Sequence, residues 1–144
     1  MQQPFASFNF QVEICNEGKV LALFQEVTGL SASIEVTDLK EGGVNSTVHK
    51  LIGHASYGNV TLKRGLIDNE FIQWVNDVLN GNVYRKDIII TVNDDSGESI
   101  SYKLLRTVPV KWEGPNLNVM NDSIATESLE LAVEGLILLP QNSK

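Results

Sequence analysis

The sequence lacks several features that assign a class of function directly. It contains one cysteine, Cys15, so no internal disulfide is expected. No stretch reaches the roughly 18 consecutive apolar residues of a membrane-spanning helix, and no membrane anchor is predicted. The first ten residues, MQQPFASFNF, lack the basic and apolar regions of a secretory signal. Export through the Sec pathway is therefore not expected, and synthesis in the cytoplasm is the prediction.

The sequence is also short of positive charge. It has 18 Asp and Glu against 11 Lys and Arg, which gives a net charge of -7. Proteins that bind nucleic acid neutralise its phosphate groups with a surplus of Lys and Arg on one face. The composition therefore argues against sequence-specific binding to DNA or RNA.

Residue patterns typical of catalytic, metal or cofactor sites are missing. His49 and His54 stand five positions apart with no cysteine near them, which does not match common metal-ligand spacings. Asp94, Asp95 and Glu98 are accounted for by turn chemistry in the segment DDSGE. The sequence therefore predicts no enzyme and no cofactor. A monomeric β-barrel binding module or small hydrolase would need convergent polar groups in a closed pocket.

The length and the hydrophobic pattern indicate one domain over residues 1–144, with loose ends at about 1–4 and 140–144. A chain of this size buries about 68–70% of its unfolded surface, which is enough for a core. In the first half, apolar and polar residues alternate with the period of a strand over 8–14, 20–27, 30–37 and 59–64. A polar, glycine-containing loop is predicted over about 38–48.

A helix is predicted over about 68–80. Apolar residues recur there at helical spacing, at Phe71, Trp74, Val75, Val78 and Leu79. Asp68 is suited to the N-cap and Gly81 to the C-terminal stop. Phe71, Trp74 and Val78 are predicted to lie in the core.

The second half reads as strands again, over 87–93, 99–105, 108–112 and a long terminal strand at 124–138. Trp112, in the third of these, is also predicted to be a core residue. The total of seven to nine strands and one helix predicts a mainly β fold, a barrel or sandwich with one packed helix. Free strand edges in such a fold can pair with another copy of the chain, so self-assembly is a hypothesis at this stage.

An ordered set of short motifs resembles the tail tube protein family of contractile phage tails and extracellular contractile injection systems. The motifs are FQEVTGL at 24–30, EGGVN at 41–45, KLIG at 50–53, TLKRG at 61–65, RKDI at 85–88, PVKWEGP at 109–115 and ESLEL at 127–131. The resemblance runs from about residue 8 to 138. Each motif is weak alone, but their order and spacing are specific.

The resemblance implies a structural subunit of an inner tube. Six subunits would form a ring with one continuous β-barrel, and rings would stack into a hollow tube that a contracting sheath drives through a target envelope. Implied partners are further copies of the chain, the sheath protein, baseplate or spike-hub proteins, tube-terminating proteins, and a protein effector or DNA as cargo. The secreted tube protein of type VI secretion, which is similar in fold, is the alternative.

The resemblance also suggests roles for individual residues. The loop at 38–48 would be an extended arm that contacts neighbouring subunits, with a solvated surface loop as the alternative. Its interface residues would be Asp38, Lys40, Glu41, Gly42, Gly43 and Asn45. Glu35, Glu130 and Glu134 are candidates for the lumen wall, although the polar face of a strand is as often plain outer surface.

Overall fold

A computed structural model of the chain describes residues 10–15, 19–40, 48–93, 99–115 and 126–139. These residues form nine strands and one helix, in agreement with the prediction of a mainly β chain with a single helix. The elements are β1 (Phe10–Ile14), β2 (Val20–Thr28), β3 (Ala32–Lys40), β4 (Val48–Tyr57), β5 (Val60–Ile67), α1 (Asn69–Leu79), β6 (Lys86–Asn93), β7 (Ser99–Glu113), β8 (Glu127–Ala132) and β9 (Gly135–Leu139). Within the described residues, no helix is long and apolar enough to cross a membrane.

Six strands close into a barrel in the order β6-β1-β2-β5-β8-β7, because β7 pairs back onto β6. All of these pairings are antiparallel. The predicted hairpins β1–β2 and β6–β7 are present. β9 is an additional strand. It pairs with residues 101–105 of β7, on the same edge where β8 pairs with residues 108–113.

Helix α1 packs on the barrel with its apolar stripe inward. The side chain of Asp68 accepts a hydrogen bond from the backbone N–H of Glu70 at 3.3 Å, which makes it the predicted N-cap. Gly81 follows the helix with a φ of +98°, a conformation that suits glycine. Phe71 and Trp74 are fully buried and stack with ring centroids 5.3 Å apart. Val78 is partly buried against the same core.

Two predicted boundaries in the second half are wrong. The separate strands at 99–105 and 108–112 are one strand, β7, because a bulge with Arg106 at φ +52° carries the pairing through. The terminal strand at 124–138 is divided into β8 and β9 at Val133 and Glu134. The backbone N–H of Glu134 still donates to the carbonyl of Leu105 at 3.1 Å, so both pieces follow β7.

The prediction that Trp112 lies in the core is also wrong. Val27, Leu62, Leu129 and Trp112 face one another across β2, β5, β8 and β7 on the core-facing side of the sheet. Leu62 and Leu129 are buried, but Trp112 is 41% exposed. The pairing of β6 with β7 ends at Lys86 and Thr107, so among the described residues no strand covers this part of β7 on its other edge.

The predicted loop over 38–48 is wrong at both of its ends. Asp38 and Lys40 belong to β3, and Val48 begins β4, a strand that was not predicted. β3 and β4 pair with each other as a separate two-stranded sheet, which we call the arm. The remaining predicted interface residues, Glu41, Gly42, Gly43 and Asn45, lie outside the described residues.

Candidate assembly interface

The arm continues from the barrel after a break in strand pairing. β2 leads into β3 and β4 leads into β5, but strand pairing is interrupted between Thr28–Thr61 and Ala32–Tyr57. Gly29 stands at this interruption with a φ of +89°, and a Cβ at this position would overlap the carbonyl oxygen of Asn59. Glycine is therefore required both by the backbone conformation and by the close approach of the two strands.

One face of the arm is apolar and uncovered. Alternation along β3 places Ala32, Ile34 and Val36 on one side, and the register brings Tyr57, Ala55 and Ile52 onto that side from β4. Ile34, Val36 and Ile52 are 55%, 51% and 66% exposed. Only at the base does this face join the core, where Tyr57 packs against it. A contiguous exposed apolar surface of this kind is characteristic of an interaction site.

The opposite face of the arm is polar next to the barrel, whereas its outer part carries Leu39 and Leu51, which are 47% and 48% exposed. The hydroxyl groups of Ser33 and Ser56 are 3.1 Å apart across the two strands. Glu35 lies over Gly53, where a register shift occurs and where a Cβ would stand 2.7 Å from the Glu35 carboxylate. The part of the arm next to the barrel is therefore amphipathic, with one face suited to water and the other suited to burial.

The polar face of the barrel continues the polar face of the arm. Thr28, Thr61, Glu130 and Lys111 form a row across β2, β5, β8 and β7. The side-chain amide of Asn59 donates to Glu130 at 2.9 Å. An open groove of about 260 Å³ lies on this surface, lined by Thr61, Lys63, Lys111, Glu113, Ser128, Leu129 and Glu130. Lysines and glutamates alternate along it, so its local charge is nearly balanced although the chain is acidic.

Glu134 is held by two arginines at the break between β8 and β9. Its carboxylate accepts from Arg106 Nε at 2.8 Å and lies 3.2 Å from Arg85. The backbone N–H of Arg106 in turn donates to Asp87 at 2.8 Å, which fixes the bulge in β7. The hydrogen bond from Arg106 is the main cause that lowers the pKa of Glu134; desolvation opposes it, and the positive charges of Arg85 and Arg106 add to it.

We expect this cluster to make stability depend on pH in the acid range. A carboxylate whose pKa is lowered by folding stabilises the fold above its unfolded pKa, near 4.5, and this contribution is lost as the pH falls through the folded pKa. Glu134→Gln should therefore be less stable than the parent protein at pH 7, and the difference should shrink below about pH 4.5. Urea unfolding of both proteins between pH 7 and pH 3 measures this difference in the free energy of unfolding. In an Arg106→Gln background the pH-dependent part of the difference should largely vanish, and its persistence would show that another group causes it.

The structure brings the sequence-predicted site residues together only in part. Asp38 forms an ion pair with Lys50 at 2.8 Å near the outer end of the arm, and Lys40 ends β3. Among the lumen candidates, Glu35 and Glu130 lie on the continuous polar face, whereas Glu134 lies in the arginine cluster. Sequence reasoning did not assign the apolar arm residues Ile34, Val36 and Ile52 to an interface. The alternation at 32–37 was the available signal, because it indicates a strand with a dry face.

A site for a metal ion has no support in the described parts of the chain. Within residues 10–15, 19–40, 48–93, 99–115 and 126–139, no group of three or more His, Cys, Asp or Glu side chains is placed to hold one. The arrangement of faces and edges is instead that of a surface for protein contacts.

Comparisons with known proteins agree with this arrangement. The chain is similar to a protein of the anti-feeding prophage baseplate, with 21% identity, coverage of 96% of this chain and 97% of that chain, and a TM-score of 0.67. It is similar to a protein of the PVC extracellular contractile injection system, from its extended sheath-tube complex, with 24% identity, coverage of 96% and 93%, and a TM-score of 0.66. Hcp1 from Flavobacterium johnsoniae shares 17% identity, coverage of 91% and 94%, and a TM-score of 0.52. At these identities the likeness establishes the fold.

No curated protein sequence matches the chain at a significant level. The family described as T4-like virus tail tube protein gp19 matches residues 6–137, which is nearly the whole chain. This match includes the barrel, the helix and the arm. The chain therefore belongs to the T4-like virus tail tube protein gp19 family.

Proposed function

We propose that this chain is the structural subunit of the hollow inner tube of a contractile, phage-tail-like injection particle, and that it has no catalytic role. The observation that carries the proposal is the arm, whose apolar face is exposed in the single chain. Exposure of apolar surface to water is unfavourable in free energy, so another copy of the chain covers this face in the assembled tube. Membership of the tail tube family supports a copy of the same chain as that partner.

Six copies form each ring, and rings stack into a tube. The arm is the subunit interface, with Asp38 and Lys40 near its outer end and Glu41, Gly42, Gly43 and Asn45 contributing beyond them. The continuous polar face of the barrel and arm faces the lumen with Glu35 and Glu130. Its nearly balanced charge suits a channel, since a strongly basic wall would retain an anionic cargo. Glu134 is proposed at the lumen as well, with its charge offset by the arginines.

The fold neighbours indicate which other proteins the tube contacts. They come from a baseplate, a tube-terminating cap, a sheath-tube complex and a sheath/tube terminator. By analogy, the partners of this chain are a sheath protein, baseplate or spike-hub proteins and tube-terminating proteins. A protein effector or DNA travels in the lumen. The subunits are made in the cytoplasm and assembled into a particle that acts outside the cell.

Electron microscopy of the purified full chain tests the proposal. Negative-stain images at near-physiological salt, with sedimentation of the same sample over a range of concentrations, should show rings or stacked tubes with a central channel. The same imaging with separately purified baseplate proteins as a template covers a requirement for nucleation. A protein that remains monomeric under both conditions would contradict the proposal.

A charge on the apolar face of the arm should block assembly. Ile52 is 66% exposed, so Ile52→Asp removes little intramolecular packing and should change the free energy of unfolding by less than about 1 kcal/mol. In an assembled interface, however, the carboxylate would be buried without a partner. We expect folded monomers and no tubes. The matched control is Ser56→Asp, opposite Ser33 on the polar face of the arm, which should assemble; equal yields of tubes from both variants would remove the arm from the interface.

A further inference from the structure

We infer that the arm of one copy docks against the open edge of β7 in a second copy, over residues 110–113, and that Trp112 is the residue it covers. This inference rests on the proposed function, because it names the surface that receives the arm. The arm and this edge are different parts of the same chain. Contacts between unlike surfaces on identical subunits are heterologous, and such contacts close into rings or continue as filaments.

One of the two edges of β7 is unpaired over residues 110–113 in the described part of the chain. β8 pairs with one edge of this segment, through Trp112–Leu129 and Glu113–Ser128. On the other edge, no strand is paired with it among the described residues, since the pairing with β6 stops at Thr107. Pro109, which lacks a backbone N–H, lies at the start of this stretch, in keeping with an unpaired edge. The backbone groups that follow it are available to another strand.

The core is incomplete at this edge. The row from Leu62 through Leu129 to Trp112 passes from fully buried to 41% exposed over three neighbouring strands. Val110 beside it is 50% exposed. The indole N–H of Trp112 donates to the Glu127 carboxylate at 2.7 Å. The ring can therefore be buried by apolar side chains alone, without a further hydrogen-bond acceptor. Tryptophans of this kind are frequent anchors of protein interfaces.

The arm has both an unpaired strand edge and an apolar face, which are the two features needed to cover the edge of β7. Each of its strands pairs with the other and leaves one edge without a strand partner among the described residues. Its apolar face, with Ile34, Val36 and Ile52, would lie on the same side of an extended sheet as Trp112. Its polar face, with Ser33 and Glu35, would then lie beside Lys111 and Glu113. A register slip by one residue would put the apolar face on the polar side, so the pattern fixes how the arm is oriented.

Tryptophan fluorescence tests the docking directly. The chain has two tryptophans, and Trp74 is already fully buried, so a change on assembly reports on Trp112. On going from monomers to tubes, the emission should shift to shorter wavelength, and most of the quenching by acrylamide should be lost. Trp112→Phe retains an apolar ring and should form tubes without this change. Tubes of the parent protein in which acrylamide still quenches Trp112 would overturn the inference and leave the proposed function intact. A chain that never assembles would overturn both.

Disulfide cross-linking identifies the occupant of the edge. In a Cys15→Ser background, subunits carrying Val110→Cys are mixed with subunits carrying Ile34→Cys, Val36→Cys or Ile52→Cys, assembled and oxidised. We expect a covalent dimer of the two kinds of subunit for at least one arm position. Leu79→Cys, at the exposed end of α1, is the control partner and should give none. Protection of Trp112 without any cross-link to the three arm positions would show that another surface covers it and would overturn the arm as its partner.

Discussion

Replacing Trp74 by alanine should lower the free energy of unfolding by about 3–5 kcal/mol, the range for large aromatic residues removed from a core. Trp74 is fully buried, and its ring stacks on Phe71. Its indole N–H donates to the carbonyl of Tyr84 at 2.9 Å, which ties the middle of α1 to the segment leading into β6. The substitution leaves a cavity and also removes the donor from that carbonyl. Because domains are stable by only about 5–15 kcal/mol, we expect a large loss of folded protein at 37 °C.

Urea unfolding followed by circular dichroism measures this effect, and the second tryptophan provides the control. Trp112 is 41% exposed, so Trp112→Ala should cost less in the monomer, about 2 kcal/mol. The two substitutions remove the same atoms, and their difference isolates burial. A loss from Trp112→Ala as large as that from Trp74→Ala would mean that β7 is covered within the single chain, contrary to the arrangement of its edges.

Sequence patterns located the helix because its signals are local. The apolar stripe at Phe71, Trp74 and Val75 and the cap at Asp68 all lie within about two turns of chain, and each was placed correctly. Strand alternation likewise predicted which residues share a face. It could not predict whether a neighbouring strand would be present to cover that face. Trp112 illustrates the limit, since it lies on the core-facing side but at an edge where the described residues provide no next strand.

The candidate interface was predictable only in outline. The alternation at 32–37 indicated a strand with a wet and a dry face, and the family motifs indicated an arm. β4 was missed because KLIGHASYG has two glycines and no clean alternation, and its pairing with β3 includes a register shift at Glu35. β4 is a strand because it pairs with β3. Pairing depends on two segments that are distant in sequence, so the pattern of one segment alone does not show it. The exposure of Ile34, Val36 and Ile52 likewise depends on the absence of covering elements, which no local pattern records.

Gly29→Ala should strongly weaken tube assembly while leaving the barrel folded. A residue with a Cβ at φ +89° costs about 1–2 kcal/mol in backbone strain. In addition, the Cβ would overlap the carbonyl oxygen of Asn59, and backbone cannot rotate away as a side chain can. The strands must therefore separate at the break in pairing, which shifts the arm relative to the barrel. Contacts that depend on the position of the arm would be lost, and we expect the concentration needed for assembly to rise by about tenfold or more, equivalent to roughly 1.4 kcal/mol per contact.

Gly81→Ala separates this effect from backbone strain alone. Gly81 has a similar φ of +98°, but a Cβ there would have no neighbour within 4 Å. Both variants carry a comparable strain, so urea unfolding should show a loss of about 1–2 kcal/mol for Gly81→Ala with tubes still forming in electron micrographs. If the two variants assembled equally well, the backbone geometry at Gly29 would not determine where the arm docks. If Gly29→Ala alone failed to assemble while its monomer kept a cooperative unfolding transition, the backbone geometry at Gly29 would be the property on which ring formation depends.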